Sequence, residues 1–269
     1  MELVKLFRIY PSSADLRGFM THILVTRPLE ASRPLAEQLG VAGLTAIVMP
    51  LYTFSAREPS DEFTSVWCGV KQRRLAVFTS PRAVRFGLPH IPRDGLENLE
   101  FAAIGSATRV SLEEAGHQVH LQSPAGYTSE DLLQVGELTI EAGEAIIFCA
   151  PGGRKAMAKG LSELGWKVIK AMVYERVPLR PGPEQVDAVL ECEDLLSVWT
   201  SVSALELARE LLPAAAWKKI LYAPALVISD RIQHHLQQLG ASRIELADGP
   251  GNAELLQSIL RLTGTAVSG

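Results

Sequence analysis

The chain has 269 residues, a length that corresponds to one large domain or to two of modest size. Hydrophobic residues make up 47% and charged residues 21%, a balance that supports a packed core and argues against intrinsic disorder. The formal net charge of −4 argues against a general nucleic-acid binder, which should carry a basic excess. Three widely spaced cysteines, Cys68, Cys149 and Cys192, make neither a disulfide framework nor a metal knuckle, so a reducing cytoplasm is expected.

Residues 1–19 contain apolar positions, but Lys5, Arg8 and Pro11 interrupt them. A signal peptide needs an uninterrupted apolar region and a cleavage site with small residues, and this segment has neither. No apolar run approaches the ~18 residues that a membrane helix needs. We therefore expect residues 1–19 to be a disordered extension or the product of an upstream start codon, with a short interfacial helix as the alternative.

Short β-branched runs alternate with amphipathic stretches along the chain, a pattern typical of helices packed on a parallel sheet. Nearly all of the runs are continuously apolar, as strands covered on both faces are. The predicted strands are 22–26, 45–49, 75–78, 101–104, 119–121, 145–149, 167–174, 195–199, 219–222 and 243–246. Glycines after the last apolar turn predict the ends of four helices, at Gly40, Gly116, Gly165 and Gly240.

Two proline-rich segments lack helical periodicity and predict linkers at 51–57 and 173–180. Similar sequences precede them, ILVTRP…LAEQLG…AIVMPLYTF before the first and IIFCAPGGR…LSELG…KVIKAMVYERV before the second. Similar sequences also follow them, LAVFTSPRAV after the first and LSVWTSVSAL after the second. The chain therefore contains an internal duplication, with a period far too long for a solenoid.

The duplication and the linkers together predict two similar flavodoxin-like α/β domains. Residues 20–50 plus 181–265 form a discontinuous first domain, and residues 58–172 form the second. Each contains five predicted strands in a parallel sheet, and the hinge segments 51–57 and 173–180 join the domains as a two-stranded linker. This division implies a cleft that opens and closes about the hinge. A single ten-stranded sheet is the alternative.

Serine and threonine recur in turns directly after predicted strands, where open α/β sheets bind ligands. Helix N-termini at such turns suit carboxylates or phosphates, although simple helix capping is the better explanation of any single turn. Their repetition in both domains favours an anion-binding cleft. The candidates are Thr79, Ser80, Ser106, Thr108, Thr200, Ser201 and Ser229. Arg27 and Arg154 follow equivalent strands of the duplication and are predicted to occupy matching corners of that cleft.

Motifs for nucleotide, metal and nucleophilic chemistry are missing from the sequence. The stretch from Ala150 to Lys155 lacks the spacing of a phosphate-binding loop, and the six histidines lack the spacing of metal ligands. No nucleophile elbow or Cys–His signature is present. The sequence therefore supports neither ATP hydrolysis nor a histidine metal site.

Tyr174 ends a predicted strand at the second linker, beside Glu175, Arg176 and Arg180. Arg57 lies on the first linker. A phenol in this position is able to donate a proton to a departing hydroxyl group. An aromatic plug between the linkers explains the same residue equally well.

The ordered set ILVTRP, VFTSPRAV, AAIGSAT, SEDLL, KVIKAMVYERV and SVWTSVSAL, spread over about residues 22–260, resembles the uroporphyrinogen-III synthase family. The resemblance implies two similar α/β domains, one of them discontinuous, joined by a two-stranded ladder. It also implies cyclisation of linear hydroxymethylbilane to uroporphyrinogen III, with loss of water and inversion of ring D, in tetrapyrrole (haem) biosynthesis. The pyrroles supply the electrons for this reaction, so the resemblance implies no cofactor.

The resemblance further implies a catalytic role for Tyr174, which lies in VYER. It places Thr79, Ser80, Ser106, Thr108, Thr200 and Ser201 on turns that face the substrate. The counterpart of Gly105-Ser106-Ala107-Thr108 in the first domain lacks tandem threonines, and Ser229 is the equivalent proposed for it. The expected partner is the polycarboxylate tetrapyrrole substrate, with a transient contact to the enzyme that makes hydroxymethylbilane. Neither nucleic acid nor membrane is expected, and the protein is expected to be a monomer.

Two other classes of protein explain part of the pattern. A hinge-type small-molecule binding or sensor protein without catalysis accounts for the duplication and the cleft, but it usually carries a secretory leader. A sugar-nucleotide transferase accounts for two α/β domains, but it requires a nucleotide motif, which the sequence lacks.

Overall fold

The computed structural model describes residues 22–67, 73–96, 99–122, 129–139, 141–153 and 155–265. The expectations for residues 1–19 lie outside these ranges. The chain divides into two compact units, which we call unit 1 (Met1–Thr53 with Val177–Gly269) and unit 2 (Phe54–Arg176). Among the described residues, no helix is both long enough and apolar enough to cross a membrane.

Strands and helices alternate along most of the described chain. The strands are β1 (His22–Val25), β2 (Thr45–Val48), β3 (Tyr52–Ala56), β4 (Arg74–Phe78), β5 (Leu99–Ala103), β6 (Leu121–Gln122), β7 (Glu144–Cys149), β8 (Lys167–Met172), β9 (Tyr174–Pro178), β10 (Leu195–Trp199), β11 (Ala225–Val227) and β12 (Ile244–Leu246). The α-helices are α1 (Leu29–Val41), α2 (Asp61–Val66), α3 (Pro81–Gly87), α4 (Ser106–Glu114), α5 (Ser129–Leu133), α6 (Lys155–Glu163), α7 (Pro183–Glu191), α8 (Val202–Leu211), α9 (Ala214–Tyr222), α10 (Asp230–Gln238) and α11 (Asn252–Thr263).

Unit 1 is built on a parallel sheet with the strand order β12-β11-β10-β1-β2. Its central strands are apolar on both faces because helices cover both sides of the sheet. On one face, Ile23 and Val25 of β1 pack with Leu35 of α1 and with Leu255 and Ile259 of α11. Each of these side chains is fully buried, and such burial stabilises the fold by roughly 1.5–3 kcal/mol per side chain.

Unit 2 has its own parallel sheet, with the order β6-β5-β4-β7-β8. One face carries stacked aromatic rings, with the ring centroids of Phe78 and Phe148 4.5 Å apart and those of Phe78 and Phe101 6.1 Å apart. The opposite face packs Val77 and Ile147 against Met157, Leu161 and other aliphatic side chains. Residues adjacent in a strand alternate between these two cores, as the pleat requires.

The two sheets have the same strand order when the strands of unit 1 are counted from β10. Its strands β10, β11, β12, β1 and β2 then occupy the same positions as β4, β5, β6, β7 and β8 of unit 2. Read in chain order, unit 1 has the strand order 2-1-3-4-5 of flavodoxin. The α/β fold with two parallel five-stranded sheets is therefore confirmed. The sequence duplication now has a structural meaning, because its matching segments form β4–α3 and β10–α8.

The predicted linkers form a small sheet of their own, in which β3 pairs with β9. The Arg57 N–H donates to the carbonyl oxygen of Val173, and the Leu179 N–H donates to that of Leu51, both at 2.9 Å. Partner positions thus run in opposite directions, so this pair is antiparallel. The two-stranded linker is confirmed, and the prolines flank its strands or end them.

The predicted strand 219–222 is wrong, because these residues form the end of α9. Ala216 and Ile220, four residues apart, are buried on one face of that helix, while Tyr222 is exposed. Pro224 separates the helix from β11, which takes the place of the missing strand with only three residues. A short apolar run is compatible with a strand and with the end of a buried helix. Here the run is the end of the nine-residue helix α9.

Other predicted boundaries also move, for example at 119–121, where the observed strand is β6 at Leu121–Gln122. The predicted strand 167–174 is two strands, since β8 ends at Met172 and Tyr174 begins β9 rather than ending its predecessor. The first helix continues past Gly40 to Val41, and the left-handed residue that follows is Gly43, with φ of 80°. The other three predicted glycines do adopt positive φ after their helices, at Gly116, Gly165 and Gly240.

Candidate active site

Tyr174 begins β9 and lies in the aromatic core of unit 2, with 7% of its surface exposed. Its ring meets the edge of Phe54 at 5.8 Å between centroids and stacks on Phe86 at 5.7 Å. Its hydroxyl oxygen lies 3.3 Å from the hydroxyl oxygen of Ser80. The side chain is therefore fixed at both ends, by aromatic contacts at the ring and by a hydrogen bond at the oxygen.

Arginine side chains lie beside this aromatic group. The guanidinium carbon of Arg82 is 3.5 Å from the ring centroid of Phe54, and that of Arg176 is 5.9 Å from it. Such cation–π contacts place positive charge beside the ring that packs against Tyr174. Sequence reasoning missed Phe54, Phe86 and Arg82. The signal for Arg82 was its place directly after the Thr-Ser-Pro turn.

The turn after β4 uses its hydroxyls within the protein. The Thr79 hydroxyl donates to the carbonyl oxygen of Phe148 at 3.0 Å, which ties the end of β4 to β7. Ser80 is the N-cap of α3, and its hydroxyl oxygen accepts the Ala83 N–H at 3.1 Å. Thr79 and Ser80 are both half-buried, and the contact between Ser80 and Tyr174 distinguishes this turn from an ordinary cap.

The turn after β5 places its two candidates differently. Ser106 is the first residue of α4 and is exposed at the carboxyl edge of the sheet. Thr108 is only 3% exposed and shares the buried face of α4 with Leu112. Ser106 is thus positioned to meet a ligand, whereas the Thr108 side chain faces the interior of unit 2. Arg154, predicted after β7, lies outside the described residues.

Unit 1 repeats the capped turn at the end of β10. Ser201 is the N-cap of α8, and its hydroxyl oxygen accepts the Ala204 N–H at 3.1 Å, the same distance as in unit 2. Thr200 and Ser201 are both half-buried. The equivalent position at the end of β11 is Ser229, the N-cap of α10, whose side chain makes no capping bond. Ser229 therefore corresponds to Gly105, the N-cap of α4.

Arg27 follows β1 at the carboxyl edge of the unit 1 sheet. Its Nη1 donates to the side-chain oxygen of Asn252 at 2.6 Å, at the first turn of α11. Its own carbonyl oxygen accepts the Ser32 hydroxyl at 2.7 Å, which fixes the backbone of the turn. Burial lowers the pKa of the Arg27 guanidinium, and the nearby Tyr52 opposes this shift. A partly desolvated cation whose partner is a neutral amide is able to bind an anion.

Tyr52 is the counterpart of Tyr174 in the duplication. It begins β3 as Tyr174 begins β9, and it is 5% exposed. The two tyrosines have different neighbours, Arg27 for Tyr52 and Ser80 for Tyr174. Sequence reasoning missed both Tyr52 and Asn252. The alignment of the two halves contained a signal for Tyr52, since AIVMPLYTF matches KVIKAMVYERV.

A wide groove of about 1190 Å³ lies at the other edge of the unit 1 sheet, at the amino ends of β10, β11 and β12. Two of its cations already serve the protein backbone, since Lys219 donates to the carbonyl oxygens of Leu190 and Cys192, and Arg243 to that of Tyr222. Ligands of open α/β sheets bind at the carboxyl edge, so we do not place the site in this groove. Within the described ranges, no group of three or more His, Cys, Asp or Glu side chains is arranged to hold a metal ion.

The comparisons with known proteins agree with one another. A family model described as uroporphyrinogen-III synthase HemD matches residues 33–257, most of the chain. The chain is similar to the uroporphyrinogen-III synthase of Escherichia coli, with 29% identity over 245 residues, 88% of this chain and 99% of that protein. It is also similar to the enzyme of Salmonella typhimurium, with 28% identity over 246 residues and the same coverage of both.

Solved structures of the same name share the fold. The uroporphyrinogen-III synthetase of Helicobacter pylori has a TM-score of 0.60 at 17% identity, covering 90% of this chain and 100% of that one. A mutant uroporphyrinogen III synthase of Thermus thermophilus has a TM-score of 0.54 at 21% identity, covering 91% of this chain and 100% of that one. At these identities the structures support the fold alone.

Proposed function

This chain belongs to the uroporphyrinogen-III synthase family, and we propose that it closes linear hydroxymethylbilane to uroporphyrinogen III with loss of water and inversion of the last pyrrole ring. This proposal rests on the family match over residues 33–257 and on the curated relatives, whose length this chain covers almost completely. Within the protein, the position of Tyr174 supports it. A buried phenol, held at ring and oxygen, is suited to deliver one proton at a defined place.

The first step breaks the carbon–oxygen bond of the terminal hydroxymethyl group. The pyrrole nitrogen supplies the electron pair, and the Tyr174 hydroxyl donates a proton to the departing oxygen, so that water leaves and an azafulvenium remains. The substituted carbon of the last ring attacks this cation, and the spiro intermediate fragments and closes again. The proton lost on final closure returns the tyrosine to its neutral form, so the cycle leaves the protein unchanged.

The protein also has to hold a flexible chain so that the hindered carbon reacts, because the bilane closes spontaneously at its free position to the symmetric isomer. The carboxylates of the substrate provide the handles. We propose that Arg27, Thr200, Ser201 and Ser229 of unit 1 and Ser106 of unit 2 bind them at the carboxyl edges of the two sheets. Thr79 and Thr108 fit this role less well, since the Thr79 hydroxyl donates to a backbone carbonyl and Thr108 faces the interior. Ser80 also fits less well, because its hydroxyl contacts Tyr174 in addition to capping α3. Arg154 remains a candidate from the sequence.

The test supplies hydroxymethylbilane generated in situ and separates the porphyrin isomers after oxidation. We expect isomer III with the wild-type protein and the symmetric isomer in a protein-free control. The symmetric isomer alone in both samples would contradict the proposed activity.

Replacing Tyr174 by Phe removes the proton donor and keeps the ring contacts with Phe54 and Phe86. We expect kcat for isomer III to fall by about ten- to a hundredfold, at or below the low end of general acid catalysis because water can replace the phenol in part. Circular dichroism should match the wild type. Unchanged kcat would leave Tyr174 with a packing role only.

Three expectations about context accompany this proposal. The cytoplasm is the proposed location, and it is compatible with Cys149 and Cys192, which are buried free thiols. We also propose that the protein acts as a monomer and receives its substrate through a transient contact with the enzyme that makes hydroxymethylbilane. Light scattering of the purified protein, alone and mixed with that enzyme, tests both the monomer and the contact.

A further inference from the structure

The hydroxyl of Ser80 contacts two groups at once. Its oxygen accepts the backbone N–H of Ala83 at 3.1 Å and lies 3.3 Å from the phenol oxygen of Tyr174. A serine hydroxyl has one proton and two acceptor sites. The capping bond occupies one acceptor site and leaves the proton unused, so the Ser80 hydroxyl is able to donate to the phenol oxygen.

The ring of Tyr174 is held so that its oxygen stays near Ser80. Phe86 stacks on it at 5.7 Å, and Phe86 belongs to α3, the helix that Ser80 caps. Phe54 makes a second, T-shaped contact with the ring at 5.8 Å between centroids. One helix therefore fixes both the plane of the tyrosine ring and the position of its oxygen.

The equivalent turn in unit 1 has the helix cap but not the contact with a tyrosine. Ser201 caps α8 through the Ala204 N–H at 3.1 Å, with the extended backbone that Ser80 also has. In the described part of the chain, the Ser201 side chain has no hydrogen bond to a tyrosine. A serine therefore caps its helix without a contact to a tyrosine. Of these two serines, only Ser80 has such a contact.

We infer that Ser80 is a positioning residue for Tyr174, because its hydroxyl donates to the phenol oxygen and turns the phenol proton away from itself, towards the substrate. When that proton passes to the departing hydroxyl group, the same hydrogen bond stabilises the charge left on the phenol oxygen. Ser80 keeps its own proton throughout. The inference rests on the proposed function, in which Tyr174 is the donor, and it replaces the carboxylate-binding role that the family resemblance implied for Ser80.

A double-mutant cycle tests this role through the rate of isomer III formation. Ser80→Ala should lower kcat about tenfold, the effect of one hydrogen bond, and leave KM within about twofold. In a Tyr174→Phe background, Ser80→Ala should change kcat less than about twofold, because the bond then has no phenol to act on. Ser80→Thr retains both the cap and the donor and should recover most of the wild-type kcat.

Two variants separate positioning from helix capping. Ser80→Asp keeps a good N-cap but has no proton to donate at neutral pH, so its kcat should fall as far as that of Ser80→Ala. Ser201→Ala removes the same kind of cap from unit 1, and it should shift the urea midpoint about as much as Ser80→Ala does. Its kinetic effect should be on KM, since Ser201 is proposed to bind substrate.

The outcomes that overturn the inference differ from those that overturn the function. If Ser80→Ala raises KM and leaves kcat unchanged, Ser80 binds substrate instead. If its loss of kcat is undiminished in the Tyr174→Phe background, Ser80 acts independently of the phenol. If Tyr174→Phe has wild-type kcat, the proton donor is misassigned and this inference falls with it, while isomer III formation by the wild type still upholds the proposed activity.

Discussion

Arg27 is a charged side chain that has lost part of its hydration and has a neutral amide as its partner. An anion that reaches this position meets a guanidinium whose direction the Asn252 side chain already sets. Arginine presents paired donors that match a carboxylate, whereas a lysine at the same place is a single point charge. Arg27 is therefore expected to contribute to substrate binding and not to the chemical step.

We predict that Asn252→Ala raises KM about three- to tenfold and leaves kcat within about twofold, since one orienting hydrogen bond is lost. Arg27→Gln should raise KM more than Arg27→Lys does. Arg33→Gln is the control, because Arg33 is exposed on α1. Steady-state kinetics measures all four variants, and unchanged KM in both Arg27 variants would show that this edge does not bind substrate.

Asp248 secures the loop that leads into α11 and so to Asn252. Arg261 donates to its two carboxylate oxygens at 3.1 and 3.4 Å, and the hydrogen bond from Arg261 holds the pKa of this carboxyl below its usual range. A carboxyl with a lowered pKa in the folded state adds stability above its unfolded value, about 3.9, and loses it as the pH falls through the folded value.

Asp248→Asn should therefore lower the urea midpoint at pH 7, and the difference from the wild type should shrink as the pH falls below about 4. Arg261→Gln should show the same pH dependence because it removes the other partner. A midpoint difference that stays constant from pH 7 to pH 3 would contradict a contribution from this ion pair.

At the scale of elements, the end of β10 is organised around the fully buried Trp199. Its indole N–H donates to the Ser197 hydroxyl oxygen at 2.9 Å, and that hydroxyl donates to the carbonyl oxygen of Pro224 at 3.3 Å. This chain of hydrogen bonds ties β10 to the segment that leads into β11.

We predict that Ser197→Ala lowers the free energy of unfolding by about 1–3 kcal/mol, because it leaves a buried indole N–H without an acceptor. Trp199→Phe removes that N–H and serves as the second member of a double-mutant cycle. The double variant should lose less than the sum of the single losses. Additive losses in urea unfolding would show that the hydrogen bond contributes nothing measurable.

The elements also show how far sequence patterns reach. Apolar runs predicted the central strands because parallel strands buried on both faces have a distinctive composition. They failed at 219–222, where only the burial of Ala216 and Ile220 on one side reveals the helix. The candidate functional residues followed a similar rule. Tyr174 was visible beside a linker, whereas the Arg27–Asn252 contact joins residues 225 apart, and no local pattern reports such a meeting.

At the scale of the whole molecule, each unit has an apolar core of its own. Two hydrophobic clusters, on opposite faces of the unit 2 sheet, draw all their buried residues from within Phe54–Arg176. A third draws its buried residues entirely from unit 1. A unit with a complete sheet and covered faces meets the requirements of an independently folding domain.

We predict that residues 54–176, expressed alone, fold to a structure that unfolds cooperatively in urea. A second chain, in which residue 53 is joined to residue 177 through a short glycine-serine linker, should do the same, because the Leu51–Leu179 hydrogen bond brings these ends together. Circular dichroism through a urea titration measures both. A gradual, non-cooperative loss of signal from either chain would mean that it depends on the other.

The interleaving of the two units has a consequence during synthesis on the ribosome. Thr26, at the end of β1, donates to the carbonyl oxygen of Val198, 172 residues later in the chain. At translation rates of about 5–20 residues per second, β1 and β2 emerge roughly 10–30 seconds before β10, the strand that β1 must pair with. Unit 2 is complete in that interval, while the strongly apolar β1 has β2 beside it but still lacks β10 on its other edge. The yield of folded protein in the cell therefore depends on how well the first 53 residues are shielded from aggregation until the last third of the chain has been made.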